Sequence, residues 1–170
     1  MYLGVESAAI FETTKLLQPV LLKSYVERSD PVLFSSTIDG VLNSNSPVFS
    51  RPNGLDRLSY YQAYRFAVST SGDYSFTTNS SIDTYGVLYN NPMDPSNSSG
   101  NMITFNDDGA GAAQFKITAP LDVSNTYVLV VTTFGDHITG AFQLITSGPS
   151  VLALSSFAPV TSRPMPTTSK

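Results

Sequence analysis

Tyr60-Tyr61-Gln62-Ala63-Tyr64-Arg65-Phe66-Ala67-Val68 leads through Ser71-Gly72-Asp73 into Tyr74-Ser75-Phe76-Thr77. Large residues alternate along the first run, so Tyr64, Phe66 and Val68 share one face of an extended chain. Gly72 and Asp73 supply turn chemistry. Strand, turn, strand is thus the local rule, and the rest of the chain repeats it. Residues 31–38 are β-rich and close at Asp39-Gly40. A short run over 47–50 ends at the turn signal Arg51-Pro52-Asn53-Gly54. Further runs cover 84–89, 101–105, 113–119, 127–134, 140–146 and 151–154. Turn signals recur about every 8–12 residues, the spacing of an all-β sandwich or barrel. Tyr127-Val128-Leu129-Val130-Val131-Thr132 is almost continuously apolar and reads as a central strand buried on both faces. β-branched residues and Gly/Pro punctuation argue against helix. The expected fold is an all-β, antiparallel, jelly-roll-like β-sandwich over residues 31–155. Phe66, Val68, Phe76, Leu88, Phe115, Ile117, Leu129, Val131, Phe142 and Leu144 are expected inside it.

Two extensions flank this domain. In residues 1–30, the stretch 7–17 reads as a short helix that Pro19 would interrupt, while 20–26 reads equally as a strand. The segment is too apolar to stand free in water and needs a partner surface. Leu17, Val20, Leu22 and Val26 are its expected contact residues, and Pro19 and Lys23 suit a sheet edge. Residues 156–170 are a tail rich in Pro, Ser and Thr, with the composition of a linker.

Composition narrows the function. Of 170 residues only 13% are charged, against about 25% in an average soluble domain, so Ser, Thr, Asn and Gln must cover the surface. That balance is common in secreted and cell-surface β proteins. The net charge is −4 with no basic cluster, which excludes nucleic acid as a partner. Without cysteine there are neither disulfides nor thiolate metal sites. No apolar run approaches the ~18 residues of a membrane span. Met1-Tyr2-Leu3-Gly4-Val5-Glu6 lacks the character of a signal peptide; of the two explanations, a chain that is not secreted or an extracellular protein in mature or truncated form, the second is the expectation. Asn79-Ser80-Ser81 and Asn97-Ser98-Ser99 match the N-glycosylation acceptor pattern, and both are expected in surface loops.

Two acidic segments carry the chemistry: Ser81-Ile82-Asp83-Thr84-Tyr85-Gly86-Val87-Leu88-Tyr89 and Asn106-Asp107-Asp108-Gly109. The first reads as a strand with one carboxylate at its start, the second as a tight turn. If they meet, Asp83, Asn106, Asp107 and Asp108 form an all-oxygen site suited to a hard cation, Ca²⁺ above all. Turn chemistry alone is the competing reading: Asn and Asp bond their own backbone while Gly109 takes a positive φ. Both readings stay open at this point. No enzyme is expected. His137 is the single histidine and falls in a turn, no serine lies in a G-x-S-x-G context, and Glu6, Glu12 and Glu27 all lie in the extension. Tyr60, Tyr61, Tyr85 and Tyr89 read either as platforms for sugars or as ordinary strand residues on a half-buried pleat.

The order and spacing of these pieces, from Tyr60-Tyr61-Gln62-Ala63-Tyr64-Arg65-Phe66 through Ile82-Asp83-Thr84-Tyr85-Gly86 and Asn106-Asp107-Asp108-Gly109 to Thr139-Gly140-Ala141-Phe142-Gln143-Leu144, resemble the bacterial pre-peptidase C-terminal domain. The resemblance spans residues 60–147, with a similar lead-in from Phe34. It implies a secreted, non-catalytic jelly-roll sandwich; in members that bind calcium the strand Asp and the acidic turn provide ligands, and Asp83, Asp107 and Asp108 stand at the matching positions here. The chain departs from that pattern in lacking an attached catalytic domain and in its two extra ends. Two functions are therefore expected to compete. One is a structural subunit assembling with copies of itself into a filament or surface layer, its N-terminal extension adding as a strand to a neighbour. The other is a calcium-dependent module binding carbohydrate or matrix.

Overall fold

The computed structural model describes residues 32–54 and 58–158. Leu17, Val20, Leu22 and Val26, with the rest of the N-terminal extension, lie outside the described residues, as does most of the tail. The described residues form eleven strands and no helix: β1 Phe34–Leu42, β2 Val48–Ser50, β3 Leu58–Tyr60, β4 Gln62–Ala67, β5 Gly72–Ser80, β6 Thr84–Asn90, β7 Met102–Asn106, β8 Lys116–Leu121, β9 Thr126–Thr133, β10 Gly140–Gly148 and β11 Ser155–Phe157. Every pairing is antiparallel. One sheet runs β1-β10-β5-β8, the other β11-β4-β9-β6-β7, and β2-β3 form a separate ribbon. With β2, β3 and β11 set aside, eight strands remain. Counted in chain order they lie first-eighth-third-sixth in one sheet and second-seventh-fourth-fifth in the other. That is the double Greek key of a jelly roll.

The core follows from the alternation. β8 buries every second residue, and β5 and β10 do so along most of their length, so the four-stranded sheet is wet on its outer face. Its inner face meets the five-stranded sheet in one cluster that contains all ten expected core residues, together with Tyr64, Tyr74, Tyr127 and Leu42. The five-stranded sheet is different. β6 and β9 are buried on both faces along almost their whole length, because Phe49 of β2 and Met93 of the 91–101 loop close over its outer side. Beneath them Tyr61, Tyr85, Val87, Tyr89, Val128 and Val130 form a second core. The apolar run 127–132 announces this double burial for β9. Gly86 shows how tightly β6 is packed: a Cβ there would stand 2.5 Å from the Phe115 ring.

Some local expectations change. The first run does not close at Asp39-Gly40, because β1 continues through them to Leu42 in register with β10. The run 113–119 becomes a strand only from Lys116, because residues 111–115 are drawn into a loop. Residues 151–154 form no strand; the sheet partner of β4 is β11 instead. The expected boundary at 155/156 therefore falls inside a strand. No helix among the described residues is long and apolar enough to cross a membrane.

Candidate functional site

Antiparallel pairing of β6 with β7 explains why the two acidic segments meet. Gly86 faces Asn106 in the register, so the residue before β6 and the residues after β7 leave the sheet at the same corner. Asp83, Asp107 and Asp108 each present a carboxylate oxygen there, and these oxygens lie within 4.8 Å of one another. Two oxygens on opposite sides of a Ca²⁺ ion, each at about 2.4 Å, would be about 4.8 Å apart. The cluster thus has the dimensions of one Ca²⁺ shell.

Buried polar bonds hold the corner. Gln114, 7% exposed, donates through Nε2 to the carbonyls of Ile82 (3.0 Å) and Ala113 (2.7 Å). Its Oε1 accepts from Thr84 Oγ1 at 3.3 Å. The Thr84 amide bonds the Ala113 carbonyl at 3.0 Å, and the Phe134 amide bonds the Asp83 carbonyl at 3.2 Å. The start of β6 is therefore stapled to the acidic loop on one side and to the β9–β10 turn on the other. The loop reaches this position through positive φ at Gly111 (77°), Ala112 (51°) and Ala113 (58°).

Asn106 has another task. Its Oδ1 accepts the amides of Gly109 (2.7 Å) and Lys116 (2.8 Å), which commits both lone pairs of that oxygen to the backbone. It shapes the turn beside the carboxylates. Gly109 is needed for close approach rather than for a positive φ, since a Cβ would stand 2.4 Å from that oxygen.

The carboxylates are mutually unfavourable as they stand. Desolvation raises the Asp107 carboxyl above the usual range, and Asp108 and Asp83 push it the same way against the charge of Arg51. Asp83 is raised by desolvation and by Asp108, again opposed by Arg51; it is largely exposed, so water softens the repulsion. One oxygen of Asp107, Oδ1, is buried with no hydrogen-bond partner.

Beside the cluster lies a hollow of about 350 Å³ walled by Arg51, Asn53, Gly54, Tyr85, Phe105, Asp107 and Phe134. The 51–54 turn, with Asn53 at φ 59°, folds back over Arg51: a Cβ on Gly54 would meet Arg51 Cγ at 2.5 Å. The guanidinium carbon lies over both the Tyr85 and the Phe134 ring, 4.6 Å from each centroid. Tyr85 in turn stacks on Phe105 at 5.6 Å, and its phenol is raised chiefly by burial.

Arg51, Phe105, Phe134 and Gln114 are the members that the sequence reading did not single out. The signal available for Arg51 was its turn, Arg51-Pro52-Asn53-Gly54, read only as punctuation. Tyr61, Tyr85 and Tyr89 are core residues, 2% exposed or less, so the aromatic surface at this corner belongs to phenylalanines instead. His137 is exposed in the β9–β10 turn at φ 51°, edge-on to Tyr60. Asn97 sits exposed in the 91–101 loop as expected. Asn79 is also exposed but lies within β5, not in a loop.

No family model matches the chain, and no curated protein does. Among solved structures it is similar to the pre-peptidase C-terminal domain of a collagenase from Bacillus anthracis, at 18% identity and a TM-score of 0.43, covering 65% of this chain and 88% of that one. It is also similar to the Yersinia pseudotuberculosis-derived mitogen, at 12% identity and a TM-score of 0.46, covering 76% and 100%. A pre-peptidase C-terminal domain, the expected resemblance, is thus among the solved structures to which the chain is similar.

Proposed function

We propose that this domain is a non-catalytic, extracellular binding module whose acidic corner holds Ca²⁺. The convergence of the Asp83, Asp107 and Asp108 oxygens within 4.8 Å carries the reading. Three carboxylates around one point repel one another, and a buried Asp107 oxygen lacks a partner. A hard divalent cation answers both conditions with the ligand type it prefers, and water completes a shell of about 6–8 oxygens. A shell open to solvent suits the weak affinities, about 10⁻⁴–10⁻³ M, of extracellular calcium modules. The low charge, the hydroxyl-rich composition and the two exposed sequons fit the same location. In thermal melts, millimolar Ca²⁺ is expected to raise the midpoint relative to a chelator, and Asp107→Asn to abolish the rise. An unchanged midpoint in the native protein would overturn the reading.

A second reading, a structural subunit forming a filament or surface layer by strand addition, is supported by one edge of the sandwich. Among the described strands β1 is bonded only to β10, and it exposes Phe34 and Val41. Donated strands join sheets at such an edge, and head-to-tail addition does not close. The full chain is then expected to sediment as a polymer and a chain lacking residues 1–30 as a folded monomer. A monomeric full chain would remove this reading.

A further inference from the structure

Arg51 acts through its charge on Asp83 and Asp107 but is bridged to no carboxylate among the described residues. It is 9% exposed, its Nε is buried with no acceptor, and it forms no ion pair among the described residues. Its Cζ lies over the Tyr85 and Phe134 rings, 4.6 Å from each centroid, and these contacts restrain the guanidinium at the wall of the hollow. The hollow it lines offers two further surfaces. Phe105 and Phe134 are 37% and 49% exposed, a high value for large apolar rings. Next to them, and sharing Arg51, Asn53 and Gly54, is a second hollow of about 420 Å³ walled by Ser50, Pro52, Ser98 and Ser99. Both volumes fall in the range of small-molecule sites.

We propose that this pair of hollows binds a carboxylated sugar, its carboxylate received by Arg51, its C–H face lying on Phe134 and Phe105, and its hydroxyls meeting Asn53 and the serine-lined side. Each surface matches one part of such a ligand. A planar guanidinium presents paired donors in the geometry of a carboxylate. An exposed ring takes the apolar face of a pyranose, and a rim of hydroxyl and amide groups takes its polar edge. A neutral sugar would leave the arginine unused.

The proposal rests on the cation reading. Asp83, Asp107 and Asp108 carry three negative charges against the one positive charge of Arg51, so the cation-free corner repels an anion. A divalent cation brings the sum to zero and frees the field of Arg51. Binding of the acidic sugar therefore requires the cation, and the cation does not require the sugar.

The test uses the full chain made without glycosylation, titrated calorimetrically with a galacturonate tetrasaccharide and with a neutral hexose tetrasaccharide. Titrations run at fixed free Ca²⁺ and in metal-free buffer, with melting midpoints recorded in parallel. The uronate is expected to bind in Ca²⁺ at least tenfold more tightly than the neutral sugar and not to bind without Ca²⁺. Arg51→Gln and Phe134→Ala are each expected to weaken it at least tenfold while keeping the Ca²⁺-induced rise in midpoint. Phe134 is half exposed, so its variant tests the site even if Arg51→Gln fails to fold. Equal binding of the neutral sugar, or no sugar binding while Ca²⁺ still raises the midpoint, overturns this proposal and leaves the cation reading standing. No response to Ca²⁺ overturns both.

Discussion

Phe115→Ala is expected to cost about 3–5 kcal/mol, the usual range for removing a buried phenylalanine. The ring is fully buried and presses on Gly86, where no side chain exists to fill the space it would leave. It is also the last residue of the acidic loop before β8, and its backbone is tied on both sides. Its carbonyl accepts from Thr77 Oγ1 at 2.8 Å, and its amide bonds Thr84 Oγ1 at 3.4 Å. The ring thus anchors the Gln114 staple to the main core. In urea titrations the midpoint should fall with the slope unchanged, and the Ca²⁺-induced rise in melting temperature should shrink with it. A loss under about 1.5 kcal/mol would mean that the 86–115 contact does not organise the corner.

The second large effect is a reversal of pH dependence by the cation. In metal-free protein the Asp83 and Asp107 carboxyls are raised, first by desolvation and then by Asp108. The unfolded chain releases these protons near pH 4, while the folded chain holds them to higher pH. The folded state thus binds more protons across that window, and stability must fall as pH rises through it. With Ca²⁺ the sign changes, because the ion binds the ionised carboxylates. At a hundredfold excess over its dissociation constant the ion adds about 2.7 kcal/mol. Asp94 and Asp122 complicate the raw curve: hydrogen bonds from Ser96 and Ser124 lower them, so their share of stability is lost on acidification. The difference between native protein and Asp83→Asn isolates the corner. Between about pH 4 and 6 that difference should tilt one way in metal-free buffer and the opposite way in Ca²⁺. Parallel curves would show that the carboxylates bind no ion.

Much of the fold was legible because period-two alternation is a local property. Tyr64, Phe66 and Val68 face one core whichever strands lie beside them, and all ten residues expected inside are inside. The covering of the second sheet was legible only at β9, since nothing in Phe49 or Met93 says which surface they will close. For the site, Asp83, Asp107 and Asp108 could be named from spacing and resemblance. Their convergence depends on the register of β6 against β7, which spacing does not state. Arg51 was hidden by its setting: Pro52, Asn53 and Gly54 speak so plainly of a turn that the arginine beside them was read only as part of it. Asn106 was assigned by its residue type, and its oxygen proved to be occupied by backbone amides.

The order of strands also governs when the domain can form. β1 pairs with β10 from Phe34 opposite Gly148 to Leu42 opposite Gly140. Its partner is therefore synthesised after all the other described strands except β11. At ribosomal rates of about 5–20 residues per second, the first strand waits on the order of ten seconds with one edge and one apolar face unclaimed. Contacts this distant in sequence also make closure slow once every strand is present. Until β10 is made, β1 lacks its strand partner and the four-stranded sheet cannot close.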